Sequence, residues 1–435
     1  MKRKLGDIFE ISSGGTPSKL HPEYYDGNIP WVKTGDLKWK YLYDVEDYIT
    51  EKGLNNSSAK MYEANTVLIA MYGATIGATS ILKFPACTNQ ACAAFKKNEE
   101  VLPEYLYFFL KSKRKKFIKD GVGGAQPNIS VGYLKNVDWE VRNLEEQHEI
   151  VNVLNNIQYI VEQREQEMQL LDELIKARFV ELFGDAIHND KGWENDTVEK
   201  LCKEIYGGGT PSKSHPEYYE DGDIPWVSSK DMKTDVLTDS HIKINQLGVD
   251  NSTARMVPIN SVIMVIRSGI LKHTLPVAIN AVPITVNQDL KVFIPNERVL
   301  TRFLAIQFKM HEKDILSGVR AVTADNIEFN SLKQRKLIVP PIELQQEYVT
   351  FLEQIDKAKV TVQKALDETQ KLFDSLMQQY FGSVKVYGND DSISRWISDS
   401  TKAGNSKRKK YKGFWNRILL YHYQGTGTAL GEEVR

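Results

Sequence analysis

The sequence predicts an α+β protein in which two duplicated mixed α/β domains are separated by two long antiparallel coiled-coil helices with pseudo-two-fold symmetry. Three observations lead to this fold class. A long internal repeat runs through the chain, each copy opens with short apolar runs between Gly, Pro and Asn residues, and each copy ends in a long stretch almost free of Gly and Pro. Punctuated apolar runs are typical of strands and turns, whereas an uninterrupted amphipathic stretch predicts a helix.

The repeat is clearest in the segment GGTPSKLHPEYYDGNIPWV, which begins at Gly14, and in GGTPSKSHPEYYEDGDIPWV, which begins at Gly208. With one inserted residue, 17 of 19 positions are identical. The correspondence continues at an offset of 195 residues and later of 198 residues, as in the pair Gln147 and Gln345. Solenoid units are only about 20–50 residues long, so this period indicates the duplication of a whole domain together with a helix.

Each copy is predicted to contain a mixed domain and then one long helix. The runs Thr66–Met71 and Ser261–Ile266 predict buried strands, and Pro103–Leu110 predicts a short helix. Apolar residues then recur in alternating steps of three and four, which is a heptad pattern. They are Ile150, Leu154, Ile157, Val161, Met168, Leu171, Ile175 and Leu182 in the first helix, and Tyr348, Leu352, Ile355, Val362, Leu366, Phe373, Leu376 and Tyr380 in the second.

The apolar stripe is interrupted by Arg164 and Arg178 in the first helix and by Lys359 and Thr369 in the second. Since each helix has one stripe to bury, we expect the two to pack against each other. The predicted boundaries are a first domain at 1–143, a first helix at 144–184, a linker at 185–195, a second domain at 196–341, a second helix at 342–382, and a basic C-terminal extension at 383–435.

Composition excludes several classes of protein. Hydrophobic residues make up 41% and charged residues 26% of the 435 residues, which is typical of a globular chain. No apolar run reaches the roughly 18 residues that a membrane span needs, and the opening residues do not form a signal peptide. Cys87, Cys92 and Cys202 are odd in number and never spaced as CxxC, so we expect no disulfide framework, no zinc site and a cytoplasmic location.

Several motifs resemble the target-recognition domain of the specificity subunits of Type I restriction–modification systems. They are GGTPS, PEYY, IPWV and the Asp-x-Lys elements Asp36–Lys38 and Asp231–Lys233. The opening of the second helix, Pro340–Gln345, matches the pattern Pro-Pro-hydrophobic-x-x-Gln, whereas Arg142–Gln147 in the first copy lacks both prolines. The resemblance covers roughly residues 1–382 and includes the order of the domains.

This resemblance implies that each domain reads one half of a bipartite site in double-stranded DNA. It implies that the helices set the spacing of the half-sites and dock two modification subunits, which bind S-adenosylmethionine and methylate adenine. Two restriction subunits with motor and nuclease activity can join for cleavage. The chain itself is then a non-catalytic specificity subunit without a cofactor or metal of its own, and with no role at a membrane.

Candidate DNA-binding residues lie where the two copies diverge most. These stretches are Tyr72–Thr88 against Arg267–Val286 and Lys111–Ala125 against Lys309–Thr323, and divergence suits two different base sequences. Side chains in these stretches or directly after them that can contact bases or phosphates are Lys83, Gln126, Arg267, Lys272 and Arg320. The basic run with Lys113, Arg114, Lys115 and Lys116 is either a DNA-backbone contact or a solvated helix end.

Other motifs have a structural interpretation beside a functional one. Gly14–Lys19 lacks the GK[ST] of a phosphate loop, so it predicts a tight turn, with phosphate contacts by Lys19 and Lys213 as the alternative. Trp31 and Trp226 are predicted to be core residues rather than base-stacking ones.

Two other function classes remain open at this level. The Asp-x-Lys elements allow a metal-dependent nuclease, although phosphate contacts by Lys38 and Lys233 or a structural role fit better, because magnesium needs further carboxylates. The third class is a coiled-coil adaptor that binds only protein. The sequence has no motif of adenine methyltransferases or helicases, which favours a chain whose partners supply the chemistry.

Overall fold

The computed structural model describes residues 2–122, 128–140, 142–318, 320–321 and 325–382, so the predicted C-terminal extension at 383–435 lies outside the described residues. Contacts divide the chain into two compact units, of which one comprises Met1–Leu154 and the chain from Asp374, and the other Asn155–Phe373. The division falls inside both long helices. Within the described ranges, no helix is both long enough and apolar enough to cross a membrane.

The first unit contains three sheets. The strand orders are β1-β11, β2-β10-β7-β8-β4 and β5-β3-β9-β6. The strands are β1 (Lys2–Lys4), β2 (Ile11–Ser13), β3 (Tyr25–Val32), β4 (Tyr41–Leu42), β5 (Tyr48–Ile49), β6 (Met61–Tyr62), β7 (Val67–Ala70), β8 (Thr79–Leu82), β9 (Ala86–Thr88), β10 (Cys92–Phe95) and β11 (Asp138–Glu140). The helices are α1 (Leu5–Ile8), α2 (Glu51–Asn55), α3 (Pro103–Asp120) and α4 (Val131–Lys135).

The core of the first unit includes the predicted buried strand, which is β7, where no residue is more than 2% exposed. Helix α3 begins at Pro103 as the sequence predicts, but it continues ten residues beyond Leu110 to Asp120. No Gly or Pro interrupts this stretch before Gly121, and Phe117, which is fully buried, anchors the added turns. The basic run therefore lies on the last turns of a helix.

A helix of 40 residues, α5 (Leu144–Phe183), follows the first unit's sheets. The second unit then contains the strands β12 (Asn195–Thr197), β13 (Cys202–Gly207), β14 (Ile224–Val227), β15 (Val236–Leu237), β16 (Lys243–Ile244), β17 (Val262–Val265), β18 (Val277–Asn280), β19 (Thr285–Val286), β20 (Leu290–Pro295), β21 (Arg320–Ala321), β22 (Asp325–Asn326) and β23 (Lys336–Ile338). Its short helices are α6 (Val198–Leu201), α7 (Gln246–Asp250), α8 (Thr301–Met310), α9 (Glu312–Ser317) and α10 (Phe329–Gln334).

The second unit repeats the two-stranded and five-stranded sheets of the first, whereas its remaining sheets are the three-stranded β16-β14-β19 and the two-stranded β21-β22. Its five-stranded sheet has the order β13-β20-β17-β18-β15, which corresponds strand by strand to β2-β10-β7-β8-β4. The predicted strand at Ser261–Ile266 is β17, which is fully buried. One difference lies in the helix that corresponds to α3, because in the second unit it is broken at His311 into α8 and α9. The duplication therefore preserves the sheet and alters a helix beside it.

The second long helix, α11 (Ile342–Phe381), also has 40 residues. Within the second unit, the Tyr348 hydroxyl donates to the Ile175 carbonyl at 2.9 Å, and Arg178 pairs with Glu347 at 2.7 Å. Lys359 forms an ion pair with Asp172. Within this unit α11 therefore runs antiparallel to α5. Arg178 and Lys359, two of the charged residues that interrupt the apolar stripes, form ion pairs between the two helices.

His311 should make the second unit sensitive to acid. The side chain is 2% exposed, and burial together with the neighbouring Arg335 guanidinium lowers the pKa of His311 to about 4. The unfolded chain, with an ordinary histidine pKa of about 6.5, binds the extra proton first as the pH falls. Lowering the pH from 7 to 5 should therefore cost about 2 kcal/mol of unfolding free energy through this residue.

Urea unfolding of His311→Gln and of the parent chain at both pH values measures this contribution. His188 is a control whose effect on the pH dependence of stability should have the opposite sign, because its hydrogen bond to Asp185 raises the pKa of the imidazole. His188→Gln should therefore increase the loss of stability in acid, whereas His311→Gln should reduce it. An unchanged pH dependence in His311→Gln would show that the imidazole does not stay neutral in the folded chain.

Candidate nucleic-acid interface

The repeated GGTPS segment is held by the same hydrogen bonds in both domains. The indole Nε1–H of Trp31 donates to the Gly15 carbonyl at 3.0 Å, and that of Trp226 donates to the Gly209 carbonyl at 2.9 Å. A Cβ at Gly14 would lie 1.9 Å from the Thr88 carbonyl oxygen, so only glycine fits there. Both indoles are buried, which confirms the core position of both tryptophans. The tight turn lies after the glycines, where the His21 amide donates to the Ser18 carbonyl and the His215 amide to the Ser212 carbonyl, each at 3.1 Å.

The aspartates of the Asp-x-Lys elements are occupied by local hydrogen bonds. Asp36 accepts from the Lys33 amide at 2.7 Å. Asp231 accepts from the backbone and the hydroxyl of Ser228 and from the backbone and the ring of His241. Both carboxylates therefore stabilise turns, and among the described residues no group of three or more His, Cys, Asp or Glu side chains is arranged to hold a metal ion.

The two aspartates differ in their electrostatic surroundings. Burial is the main cause that raises the pKa of Asp36. Burial would also raise the pKa of Asp231, but hydrogen bonds from the backbones of His241 and Ser228 outweigh it and hold that pKa below its usual value. The neighbouring Lys38 and Lys233 are exposed. Their phosphate contacts stay predictions.

The other predicted contact residues occupy different surroundings. Lys19 and Lys213 are exposed at the repeated turn. Lys83 is half-buried, donates to the Asn65 side chain at 3.0 Å and lies 4.5 Å from the centre of the Tyr41 ring. Gln126 and the side chain of Arg320 lie outside the described residues.

The basic run of α3 does not form one uniform surface. Lys113 is half-buried and donates to the Phe381 carbonyl at 2.5 Å, at the last residue of α11 within the same unit. Burial lowers the pKa of Lys113. A DNA phosphate at Lys113 would have to replace this helix-end carbonyl, and the phosphate contact of Lys113 stays a prediction. Arg114, Lys115 and Lys116 are exposed, and Arg114 also donates through Nε to the Ile76 carbonyl at 3.3 Å.

The two most divergent stretches of each domain lie side by side. In the first domain, Tyr72 is bridged to Asn128, which exchanges backbone hydrogen bonds with Val122. In the second domain, Arg267 is bridged in the same way to Asn326, and the Ser268 amide donates to the Asp325 carbonyl at 3.1 Å. We call these places the divergent surfaces: Tyr72–Ile76 with Arg114 and Val122 in the first domain, and Arg267–Lys272 with Arg320–Ala321 and Asp325–Asn326 in the second.

On the second divergent surface, acidic partners orient the cations. Arg267 contacts Asp289 through Nε at 2.7 Å and through Nη2 at 2.6 Å, yet its side chain is 49% exposed. Lys272 lies 3.8 Å from the buried carboxylate of Asp325. A guanidinium has five N–H donors, so Arg267 keeps donors for a base or phosphate while Asp289 fixes its direction.

Three further features were not recognised as functional in the sequence. Asp289 pairs with Arg267, and both change between the copies, since their counterparts are Ala91 and Tyr72. Trp39 is 75% exposed, while its counterpart is Thr234. The third feature is the pair of buried glutamines that open the long helices. For Asp289 and Trp39, the sequence signal that was available is that the aligned residue in the other copy has a different chemical character.

Each of the two glutamines makes three hydrogen bonds. Gln147 accepts from the Leu102 amide at 2.9 Å and donates to the carbonyls of Glu100 and Arg142 at 2.9 and 3.0 Å. Gln345 makes the equivalent bonds to Leu300, Arg298 and Pro340. The start of each long helix is thus bound to the loop that precedes α3 or α8.

A comparison with protein-family models decides the family. The model described as the Type I restriction modification DNA specificity domain matches this chain twice, at residues 1–171 and 190–369. The chain belongs to this family. The two matches include both domains and most of both long helices, so the specificity-domain family accounts for the duplicated architecture.

Curated relatives of the specificity-domain family match nearly the whole chain. The MjaIX specificity subunit of Methanocaldococcus jannaschii is 27% identical over 410 residues, which cover 88% of this chain and 93% of the relative. The EcoR124I/EcoR124II specificity subunit of Escherichia coli is 26% identical over 398 residues, which cover 84% and 96%. This chain is therefore similar to Type I specificity subunits over almost their full length.

Solved structures support the same fold. A chain from work on complex assembly and conformational transition of the type I R-M system superposes with a TM-score of 0.59 at 15% identity, covering 88% of this chain and 97% of that one. The Type I restriction–modification S subunit from M. genitalium gives a TM-score of 0.51 at 15% identity, covering 88% and 96%. At these identities the likeness concerns the fold.

Proposed function

We propose that this chain is the DNA-binding specificity subunit that recognises a bipartite site in double-stranded DNA, with one half-site for each domain. The observation that carries the proposal is the convergence of the divergent stretches into one surface on each duplicated domain. Both domains have the same five-stranded sheet, but the divergent surface differs between them. Two different surfaces suit two different base sequences. Exposed cations on both surfaces supply groups that can contact bases and phosphates.

In the same proposal the two long helices form an antiparallel coiled coil that sets the distance between the half-sites. A helix of 40 residues is about 60 Å long at 1.5 Å per residue. The ion pairs Arg178–Glu347 and Lys359–Asp172 support antiparallel pairing. A pseudo-two-fold axis then relates the domains, as duplicated readers of two half-sites require.

Catalysis in this proposal belongs to partners. Two modification subunits bind S-adenosylmethionine and methylate adenine in the recognised site, and two restriction subunits join them for cleavage. The nuclease alternative is less favoured, because the Asp36 and Asp231 carboxylates already accept hydrogen bonds from their own turns. Cleavage of DNA by the purified chain with magnesium, abolished by Asp36→Ala and Asp231→Ala, would establish that alternative instead.

Methylation mapping in cells that carry this chain with a modification subunit tests the proposal. Arg267→Ala should change the preference at one half-site and leave the other as it was, with a loss of roughly 1–3 kcal/mol per lost base contact. Arg267→Lys is the matched control, because it keeps the charge but loses the two-pronged geometry. A change of bases in both half-sites would contradict the assignment of one half-site to each domain.

Replacing Lys115 and Lys116 by alanine should have a different effect. Both side chains are exposed on α3, and a phosphate contact carries no base information. We expect weaker binding to every sequence, and the slope of log K against log salt should fall by about 0.9 for each lost contact. A chain that binds only protein would show neither effect, because it would not bind the duplex.

A further inference from the structure

Trp39 is an exposed aromatic residue with a fixed backbone. Its side chain is 75% exposed, just before the edge strand β4. Strand β4 runs parallel to β8, with Tyr41 opposite Ile81. The buried Ser80 hydroxyl donates to the Trp39 carbonyl at 2.6 Å. The backbone of Trp39 is therefore held beside the start of β8, and its indole is exposed.

This position borders the first divergent surface. The loop Gly73–Gly77 leads directly into β8, and both of its end glycines have positive φ, at 65° and 77°. On the loop, Arg114 donates to the Ile76 carbonyl, and a Cβ at Gly77 would lie 2.7 Å from the Cγ of Arg114. Trp39 and Arg114 thus both contact or border the segment Ile76–Ser80.

The second domain lacks this arrangement. Thr234 replaces Trp39, and its hydroxyl donates to the Val236 carbonyl at 2.8 Å. Ala278 replaces Ser80, so the hydroxyl that holds the backbone is absent there. The backbone bond from the Ile81 amide to the Lys40 carbonyl, at 2.8 Å, has an equivalent in the bond from the Ile279 amide to the Asp235 carbonyl, at 2.9 Å. The strand is therefore the same in both domains, and the exposed ring belongs to the first.

We propose that Trp39 is a DNA-contacting residue of the first domain, whose ring packs against a base or deoxyribose of its half-site. This inference rests on the proposed function. An indole has a large apolar face that suits a deoxyribose or the thymine methyl group at a base edge, and neighbouring cations attract the phosphates. Lys38, the preceding residue, and Arg114, which contacts the loop before β8, are both exposed and supply that charge. The half-site of the second domain is read without an equivalent ring.

Trp39→Thr is the direct test, because threonine occupies the matching position of the second domain. Tyr43→Thr is the matched control: Tyr43 is 72% exposed, its counterpart is Thr238, and it lies at the other end of β4. Trp39→Phe retains an aromatic face. Binding of the full chain, in complex with the modification subunit, is measured on a duplex that carries the methylation-mapped site.

We expect Trp39→Thr to weaken binding about tenfold or more, Trp39→Phe to restore part of it, and Tyr43→Thr to change it less than about twofold. Binding should also quench indole fluorescence in the parent complex more than in Trp39→Phe. Equal affinities of the parent and Trp39→Thr for a site that both prefer would overturn this inference alone. Loss of binding with phenylalanine equal to that with threonine, or an equal loss in Tyr43→Thr, would also overturn it. A parent complex with no preference for the mapped site would overturn the proposed function as well.

Discussion

Val362→Asp is expected to lower the free energy of unfolding by roughly 3–5 kcal/mol, because it places a charge without a partner inside a packed helix face. Val362 is 6% exposed and lies within the part of α11 that belongs to the second unit. Urea unfolding followed by circular dichroism measures the change. The helical signal should be lost at a lower urea concentration, since α5 and α11 contribute many of the helical residues.

Val360→Asp is the matched control for this prediction. Val360 lies two residues earlier in the same helix but is 70% exposed, so its replacement should cost no more than about 0.5 kcal/mol. Leu171 and Leu366 belong to the same predicted stripe but are half-buried, and the same change there should have an intermediate cost. Similar losses at Val360 and Val362 would show that the apolar stripe is not what holds the helix in place.

Lengthening both long helices by four residues is expected to leave both half-site sequences unchanged and to lengthen the gap between them by about two base pairs. Four residues add about 6 Å of helix, and each base pair of duplex spans about 3.4 Å. Insertions after Gln166 in α5 and after Val360 in α11 would lie at matching heights in an antiparallel pair. Methylation mapping in cells reads both the bases and the gap.

The region 185–195, which the sequence predicts to be a linker, is unsuitable for such an insertion. The Asp185 amide donates to Asp190 at 2.8 Å, Lys191 donates to the Glu181 carbonyl at 2.5 Å, and Trp193 donates to the Phe183 carbonyl at 2.9 Å. This turn closes the end of α5, so residues added there would disrupt it. A paired helix insertion that changed the bases but not the gap would contradict the spacing role.

The elements that sequence predicts well are those whose pattern is local. The two predicted buried strands, β7 and β17, are present because a short apolar run between turn residues usually forms a buried strand. The 40-residue helices lie where Gly and Pro are nearly absent. The glycines at Gly14 and Gly208 allow close approach to the Thr88 and Val286 carbonyls, and the predicted tight turn lies a few residues later, at Ser18–His21 and Ser212–His215. Family membership then agrees with the resemblance of these same motifs.

The candidate interface was less predictable, because its chemistry depends on contacts between distant residues. Lys113 belongs to a basic run, yet the end of α11, 268 residues away, determines that its ammonium is half-buried. Arg267 and Asp289 meet only once β17 and β20 are paired. Trp39 looks like an ordinary core residue until the sheet order shows that β4 is an edge strand. The sequence pattern does not show which distant residues come into contact.

The glutamines that begin α5 and α11 bear on how this protein can change over evolution. All six hydrogen bonds of Gln147 and Gln345 are made to main-chain atoms of their own units. These six bonds are therefore independent of the side chains in the loops that they contact. Other contacts are not, because Phe303 of α8 packs against Phe179 of α5 and Tyr348 of α11. A domain exchanged by recombination with its final loop and this glutamine would keep the main-chain bonds, and it would also have to carry the apolar side chains that pack on the long helices.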